Sequence, residues 1–194
     1  MPRRFKTLVT GHRRRREGRT DYKQRLDLLK SGKARLVIRR SSNAMVCQIV
    51  KHDRKGDKTL LTVSAKELKK AGWKAHTGST PAAYLTGVLC ALEAKKKKVS
   101  EAVLDMGLHA STRGSRIYAA LKGAIDGGLK VPHSAEVFPD EKRITGAHIA
   151  DYAKKLKSEK PQDYERQFAR HVKDKFPAED LAKHFGEIKK KLLK

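Results

Sequence analysis

Apolar positions set the plan of this chain. Residues 1–20 show no sustained apolar period, and the cluster Phe5, Leu8, Val9 could do no more than tack them to a surface. This stretch is expected to be an extended arm. Thr20 then stands as a helix N-cap, with Tyr22, Leu26 and Leu29 at i, i+4 and i+7. The spacing predicts a short amphipathic helix over 21–31, closed by Gly32. The pattern changes to that of strands at 35–39 (RLVIR), 44–51 (AMVCQIVK) and 59–63 (TLLTV). Ser41-Ser42-Asn43 and a polar stretch around Gly56 supply the turns, so the three runs should pair as an antiparallel meander.

A polar connection, 64–79, carries the only tryptophan, Trp73. Thr80-Pro81 reads as an N-cap with proline at the first helical position. Tyr84, Leu85, Val88, Leu89, Ala91 and Leu92 then form a wide apolar face. Residues 99–105 (VSEAVLD) read as a fourth strand, parallel to a neighbour through a right-handed crossover. Ser115 is placed to cap a further helix with Ile117, Leu121, Ala124 and Ile125 inward and Gly127-Gly128 as its stop. After a loop over 131–143, Thr145, Pro161 and Pro177 each open a helical stripe. The stripes are Ile149, Ala153, Leu156; Tyr164, Phe168, Val172, Phe176; and Leu181, Phe185, Ile188, Leu192. No repeat at a fixed period occurs.

The expected fold is α/β (α+β): a small mixed sheet of about four strands in β-β-β-α-β-α order with helices packed on it. The expected division is a basic extended arm over 1–20, an α/β domain with its leading helix over 21–130, and a loop and helical C-terminal extension over 131–194.

Charge changes the picture most. The chain has 46 Lys and Arg against 21 Asp and Glu, for a formal net charge of +25 and a pI near 10.3. The arm and leading helix hold Arg3, Arg4, Lys6, Arg13, Arg14, Arg15, Arg16, Arg19, Lys23 and Arg25 against only Glu17 and Asp21. Four consecutive arginines need counter-charge, and nucleic-acid phosphate supplies it; a solvated basic tail is the bland alternative. The lysine run at 95–98 suits a helix C-terminus and is set aside as a binding site. No apolar run reaches the ~18 residues of a membrane span, and the basic N-terminus is followed by no apolar core of signal-peptide type, so secretion is not expected. Cys47 and Cys90 lie in apolar stretches, which suits buried thiols in a reducing cytosol rather than a disulfide or zinc.

Catalytic chemistry has little to build on. Asp105, His109 and Asp126 could in principle hold a metal, but the three meander runs contain no carboxylate to complete such a site. No G-x-S-x-G elbow or P-loop occurs. Binding has more material. Arg39 and Arg40 at the end of the first strand stand beside Ser41, Ser42 and Asn43, joining guanidinium forks to small polar groups. His109, Ser111, Thr112, Arg113, Ser115 and Arg116 repeat the mixture at the start of a helix. An aromatic content of 6% without a paired platform favours folded, mostly double-helical RNA over splayed single strands.

RLVIRRSSNAMVCQIV, TGSTPAAYLTGVLCA, LDMGLHASTRGSRIYAALKGAIDGGLKVPHS and FPDEKRITGAHIADYAKKL together resemble large-subunit ribosomal protein eighteen, in its archaeal and eukaryotic form. The resemblance spans about residues 1–157. It implies a non-catalytic protein without cofactor that anchors 5S rRNA to the large-subunit (23S-type) rRNA in the central protuberance. Its partners would include neighbouring large-subunit proteins, with no membrane and no small-molecule substrate. Its place would be the cytoplasmic ribosome. Carried over by position, Arg3, Arg4, Lys6, His12, Arg13 to Arg16 and Arg19 would lie on RNA, joined by Tyr22, Lys23 and Arg25. Arg39, Arg40, Ser41 and Asn43 would touch 5S rRNA from the sheet, and His109, Ser111, Thr112, Arg113 and Arg116 would form a third contact. Ser41-Ser42 departs from the single serine of many relatives. The competing readings are a free RNA-processing or RNA-modifying enzyme and a DNA-compacting chromatin protein.

Overall fold

The structure, a computed structural model, describes residues 10–193. Helix α1 (Arg13–Arg16) is a single turn, and α2 (Tyr22–Lys30) follows it. Strands β1 (Ala34–Arg40), β2 (Met45–Asp53) and β3 (Gly56–Ser64) come next, then α3 (Thr80–Lys96), β4 (Ala102–Asp105) and α4 (Arg116–Asp126). The C-terminal part holds α5 (Glu141–Thr145), α6 (Ala147–Glu159), α7 (Pro161–Gln167), α8 (Ala169–Lys173) and α9 (Leu181–Leu193).

The sheet order is β3-β2-β1-β4. β1 and β2 are antiparallel, with Leu36 opposite Ile49 and Ile38 opposite Cys47. β2 and β3 continue the meander, with an irregularity at Ile49/Val50. β4 follows α3 and pairs parallel to β1, as expected, setting Val37 beside Asp105. Alternation along β1 and β2 divides the sheet into two unlike faces. Leu36, Ile38, Met45, Cys47 and Ile49 have no exposed surface and pack under α3 and α4. Arg35, Val37 and Arg39 alternate with them on the other face. Cys47 and Cys90 are both free and buried; a hydrogen bond with the Cys90 thiol, and then burial, push the Cys47 thiol up and keep it neutral.

α3 is buried nearly all round because it lies between the sheet, α4 and the C-terminal helices. Leu181, Phe185 and Ile188 of α9 enter the same buried cluster as the sheet residues. Phe185 lies 5.5 Å from Tyr84 between ring centroids, and Trp73 stacks on His184 at 5.2 Å.

Several local expectations shift. The arm is not extended throughout: Arg13–Arg16 close one helical turn, with the N–H groups of Arg15 and Arg16 donating to the His12 carbonyl. Gly18 ends the turn at φ 62°, and Glu17 reaches back to Arg13 and on to Arg19. The cap of α2 is Asp21, whose carboxylate accepts from the N–H groups of Lys23 and Gln24, while Thr20 Oγ1 accepts from Arg14 Nε. Ser79 rather than Thr80 caps α3. Ser115 holds the cap position of α4, but its hydroxyl makes no capping bond. Thr145 ends α5 instead of opening a helix, because its hydroxyl donates to the Glu141 carbonyl at 3.0 Å and Gly146 turns the chain at φ 81°. The second stripe is split at Phe168 into α7 and α8.

Candidate nucleic-acid interface

The face of the sheet turned away from the core carries the site. α2 and the described end of the arm, with Arg14, Arg19 and Thr20, lie along it, and the loop after β4 closes one end. Between them is a cleft of about 350 Å³. Arg14, Arg19 and Arg25 line one wall, Arg39, Gln48 and Thr59 the sheet, and Gly107 to His109 the closing end. Each of the three basic sets thus gives the cleft part of its residues, Arg14 and Arg19, Arg39, and His109, whereas Arg40, Ser41, Asn43, Ser111, Thr112, Arg113 and Arg116 do not line it.

The arm's end of the cleft is basic and exposed. None of Arg13 to Arg16 is buried, and the His12 ring lies 5.1 Å from that of Tyr22. Arg19 is 3.4 Å from Glu17. Lys23 is exposed, and its backbone N–H serves the α2 cap. Arg3, Arg4 and Lys6 lie outside the described residues.

At the end of β1, Arg39 and Arg40 are exposed. The turn that follows is held from behind. Ser41 Oγ donates to the Ala44 carbonyl at 2.9 Å and accepts from the Ala44 N–H at 3.0 Å. Thr77 Oγ1 donates to the Asn43 carbonyl, and Arg116 Nη1 donates to the carbonyls of Gly78 at 2.5 Å and Ser41 at 3.4 Å. A Cβ at Gly78 would land on the Ser42 carbonyl, so only glycine lets that segment lie against the turn. The Asn43 side chain stays exposed beside the two arginines.

The loop after β4 is anchored in the same manner. Ser111 Oγ shares a hydrogen bond with Tyr118 OH, the Thr112 carbonyl accepts from the Ser115 N–H at 3.2 Å, and Arg113 pairs with exposed Glu136 at 3.1 Å. His109 sits beside the strand-end arginines: burial first, then the charges of Arg40 and Arg39, holds its imidazole below the ordinary 6.5.

The floor of the cleft was not read from the sequence. Arg35, only 4% exposed, donates to Asp105 at 2.7 Å and to Asp57 at 2.5 Å. Asp57 also pairs with Arg25 at 2.8 Å. Burial alone would raise the Asp57 carboxyl, but hydrogen bonds from Arg35 and His52 and the charges of Arg35 and Arg25 bring it below its usual 3.8. Asp57 is the second residue of β3, outside the run 59–63 read as strand. The sequence signal was an arginine in strand alternation with Leu36 and Ile38. Both carboxylates face a guanidinium, and among the described residues no His, Cys, Asp or Glu group could hold a metal ion. Two lysines of the run are tied within the chain: Lys96 pairs with Glu93 at 2.7 Å and Lys97 Nζ donates to the Leu60 carbonyl at 2.7 Å.

A small mixed sheet with α3 and α4 on one face, and on the other a cleft rich in arginine whose floor carboxylates are paired with Arg35, suits a protein that lies on a polyanion. Residues 3–101 and 92–134 match the family model described as ribosomal large subunit proteins 60S L5 and 50S L18. Large ribosomal subunit protein uL18 of Methanococcus maripaludis is 49% identical over 181 residues, which cover 93% of each chain. The chain belongs to this family of large-subunit ribosomal proteins. Its role is that of a structural component of the large ribosomal subunit, associated with ribosomal RNA and ribosomal proteins, and it is not an enzyme.

Proposed function

We propose that this chain binds 5S rRNA and attaches it to the 23S-type rRNA of the large subunit, in the central protuberance. The observation that carries the proposal is the shared cleft, where the arm, the end of β1 and the loop after β4 meet on the face opposite the core. The arm, with Arg3, Arg4, Lys6, His12, Arg13 to Arg16 and Arg19, supplies phosphate contacts, and Tyr22 and Lys23 extend them. Arg39, Arg40, Ser41 and Asn43 meet 5S rRNA from the sheet. His109, Ser111, Thr112, Arg113 and Arg116 contribute through a loop held in one conformation by its own hydrogen bonds. Phosphate contacts supply affinity, and the rigid body sets which folded RNA fits.

The experiment compares binding to 5S rRNA, an unrelated folded RNA of equal length and duplex DNA over a series of salt concentrations. At about 0.2 M salt, where non-specific phosphate binding is greatly weakened, 5S rRNA should remain bound while the other two dissociate. Equal affinity for all three would sink the reading.

A further inference from the structure

We propose that Arg25 is a positioning residue rather than a phosphate ligand: together with Asp57 and buried Arg35 it fastens α2 across the open face of the sheet and so fixes where the basic arm leaves the body. The proposal deepens the RNA-binding reading and rests on it for its consequence.

α2 has only a partial apolar hold: Tyr22, Leu28 and Leu29 are half-buried, and Leu28 lines the cleft. It buries no side chain completely, and Leu26, in the middle of its apolar stripe, is 58% exposed. What crosses from the helix to the sheet is the 2.8 Å pair between Arg25 and Asp57. The Asp57 oxygen that receives Arg25 also receives Arg35, and the other arm of Arg35 ends on Asp105. Asp105 in turn accepts from the Gly107 N–H at 2.9 Å. One chain of ionic contacts therefore ties the leading helix, the β2–β3 hairpin and the loop after β4, which are three of the pieces that border the cleft.

Arg25 is 34% exposed, and a phosphate that took the Nη2 it gives Asp57 would have to displace that carboxylate. That exchange would leave a carboxylate on the cleft wall facing the incoming anion, beside an arginine 4% exposed that still needs it. Asp57 therefore competes with RNA for Arg25 and repels RNA when uncovered.

The two roles predict opposite signs. Asp57→Asn raises the net charge by one, so on electrostatic grounds alone it tightens RNA binding. Positioning predicts the reverse: about fivefold weaker binding of 5S rRNA, on the scale of a half-exposed ion pair, with no further loss when Arg25→Gln is added. Equal losses from Arg25→Gln in both backgrounds would identify a phosphate ligand and overturn the proposal.

Arg25→Gln leaves the Arg35 pairs with Asp57 and Asp105 in place, so this variant keeps the sheet even where Asp57→Asn does not fold. In the free protein it should speed amide hydrogen exchange across residues 22–30 by about fivefold, and Arg25→Lys should restore most of the protection. Unchanged exchange in Arg25→Gln overturns the proposal. The exchange measurement uses no RNA, so loss of 5S preference in the wild type would sink the RNA reading and leave this result to stand or fall by itself.

Discussion

Gly87 on α3 and Gly123 on α4 decide how closely the two helices under the sheet can approach. A Cβ on Gly87 would strike the Ala120 carbonyl and come within 2.9 Å of the Ala124 nitrogen; one on Gly123 would strike the Tyr84 carbonyl. These obstacles are backbone, which cannot rotate away. Gly87→Ala and Gly123→Ala should each cost about 1–3 kcal/mol, towards the upper end, although alanine is the better helix former by about 1 kcal/mol. Urea denaturation would show the loss as a lower midpoint, and a raised midpoint would mean that the helices separate easily. Asp57 sets a pH limit by the same residue-level reasoning. Its carboxyl is lowered from 3.8 in the folded chain, so its contribution is complete above that value and is lost as pH falls through the folded one. The stability difference between wild type and Asp57→Asn should therefore be full at pH 6 and shrink below about pH 4. A difference that stayed constant down to pH 2.5 would contradict the ion pair.

At the scale of elements, stripes that look alike have different weight. Phe185 on α9 is 4% exposed and packs on Tyr84, so Phe185→Ala should cost about 3–5 kcal/mol. Leu26 on α2 belongs to an equally regular stripe but is 58% exposed, so Leu26→Ala should stay within about 0.5 kcal/mol. Paired thermal melts of the two variants test the contrast, and similar losses would place α2 in the core. The meander and the parallel β4 were legible because β-branched runs between turn residues admit few pairings. Helix starts were misplaced by one residue where two cap-competent side chains are adjacent, Thr20 with Asp21 and Ser79 with Thr80; local sequence does not choose between them. The turn at Arg13–Arg16 has no apolar period to reveal it. The Arg25–Asp57–Arg35–Asp105 chain was illegible for a different reason: its two carboxylates lie 22 and 70 residues from Arg35, and only the sheet register brings them together.

Over the whole molecule, a net charge of +25 is informative only once the internally spent cations are removed. Lys96 and Lys97 are tied to the chain itself, and Arg25 and Arg35 share Asp57. Arg13 to Arg16 remain exposed, and among the described residues their side chains are tied only by Arg13 to Glu17 at 3.7 Å and by Arg14 to Thr20 at 2.9 Å. Each phosphate contact contributes about 0.9 to the slope of log affinity against log salt, so replacing all four by glutamine should flatten the slope by about three to four. An unchanged slope would mean that the arm stays solvated in the complex. The helical turn adds a finer expectation, since successive side chains are about 100° apart and four of them point around the axis. Arg13 and Arg16 share one side, whereas Arg14 and Arg15 point elsewhere. No side of the turn is buried against the body, so RNA that surrounds it should register both pairs. The double variants Arg13→Gln/Arg16→Gln and Arg14→Gln/Arg15→Gln should each lower the slope by about 1.8. A loss confined to one pair would mean that the turn lies flat against a single strand.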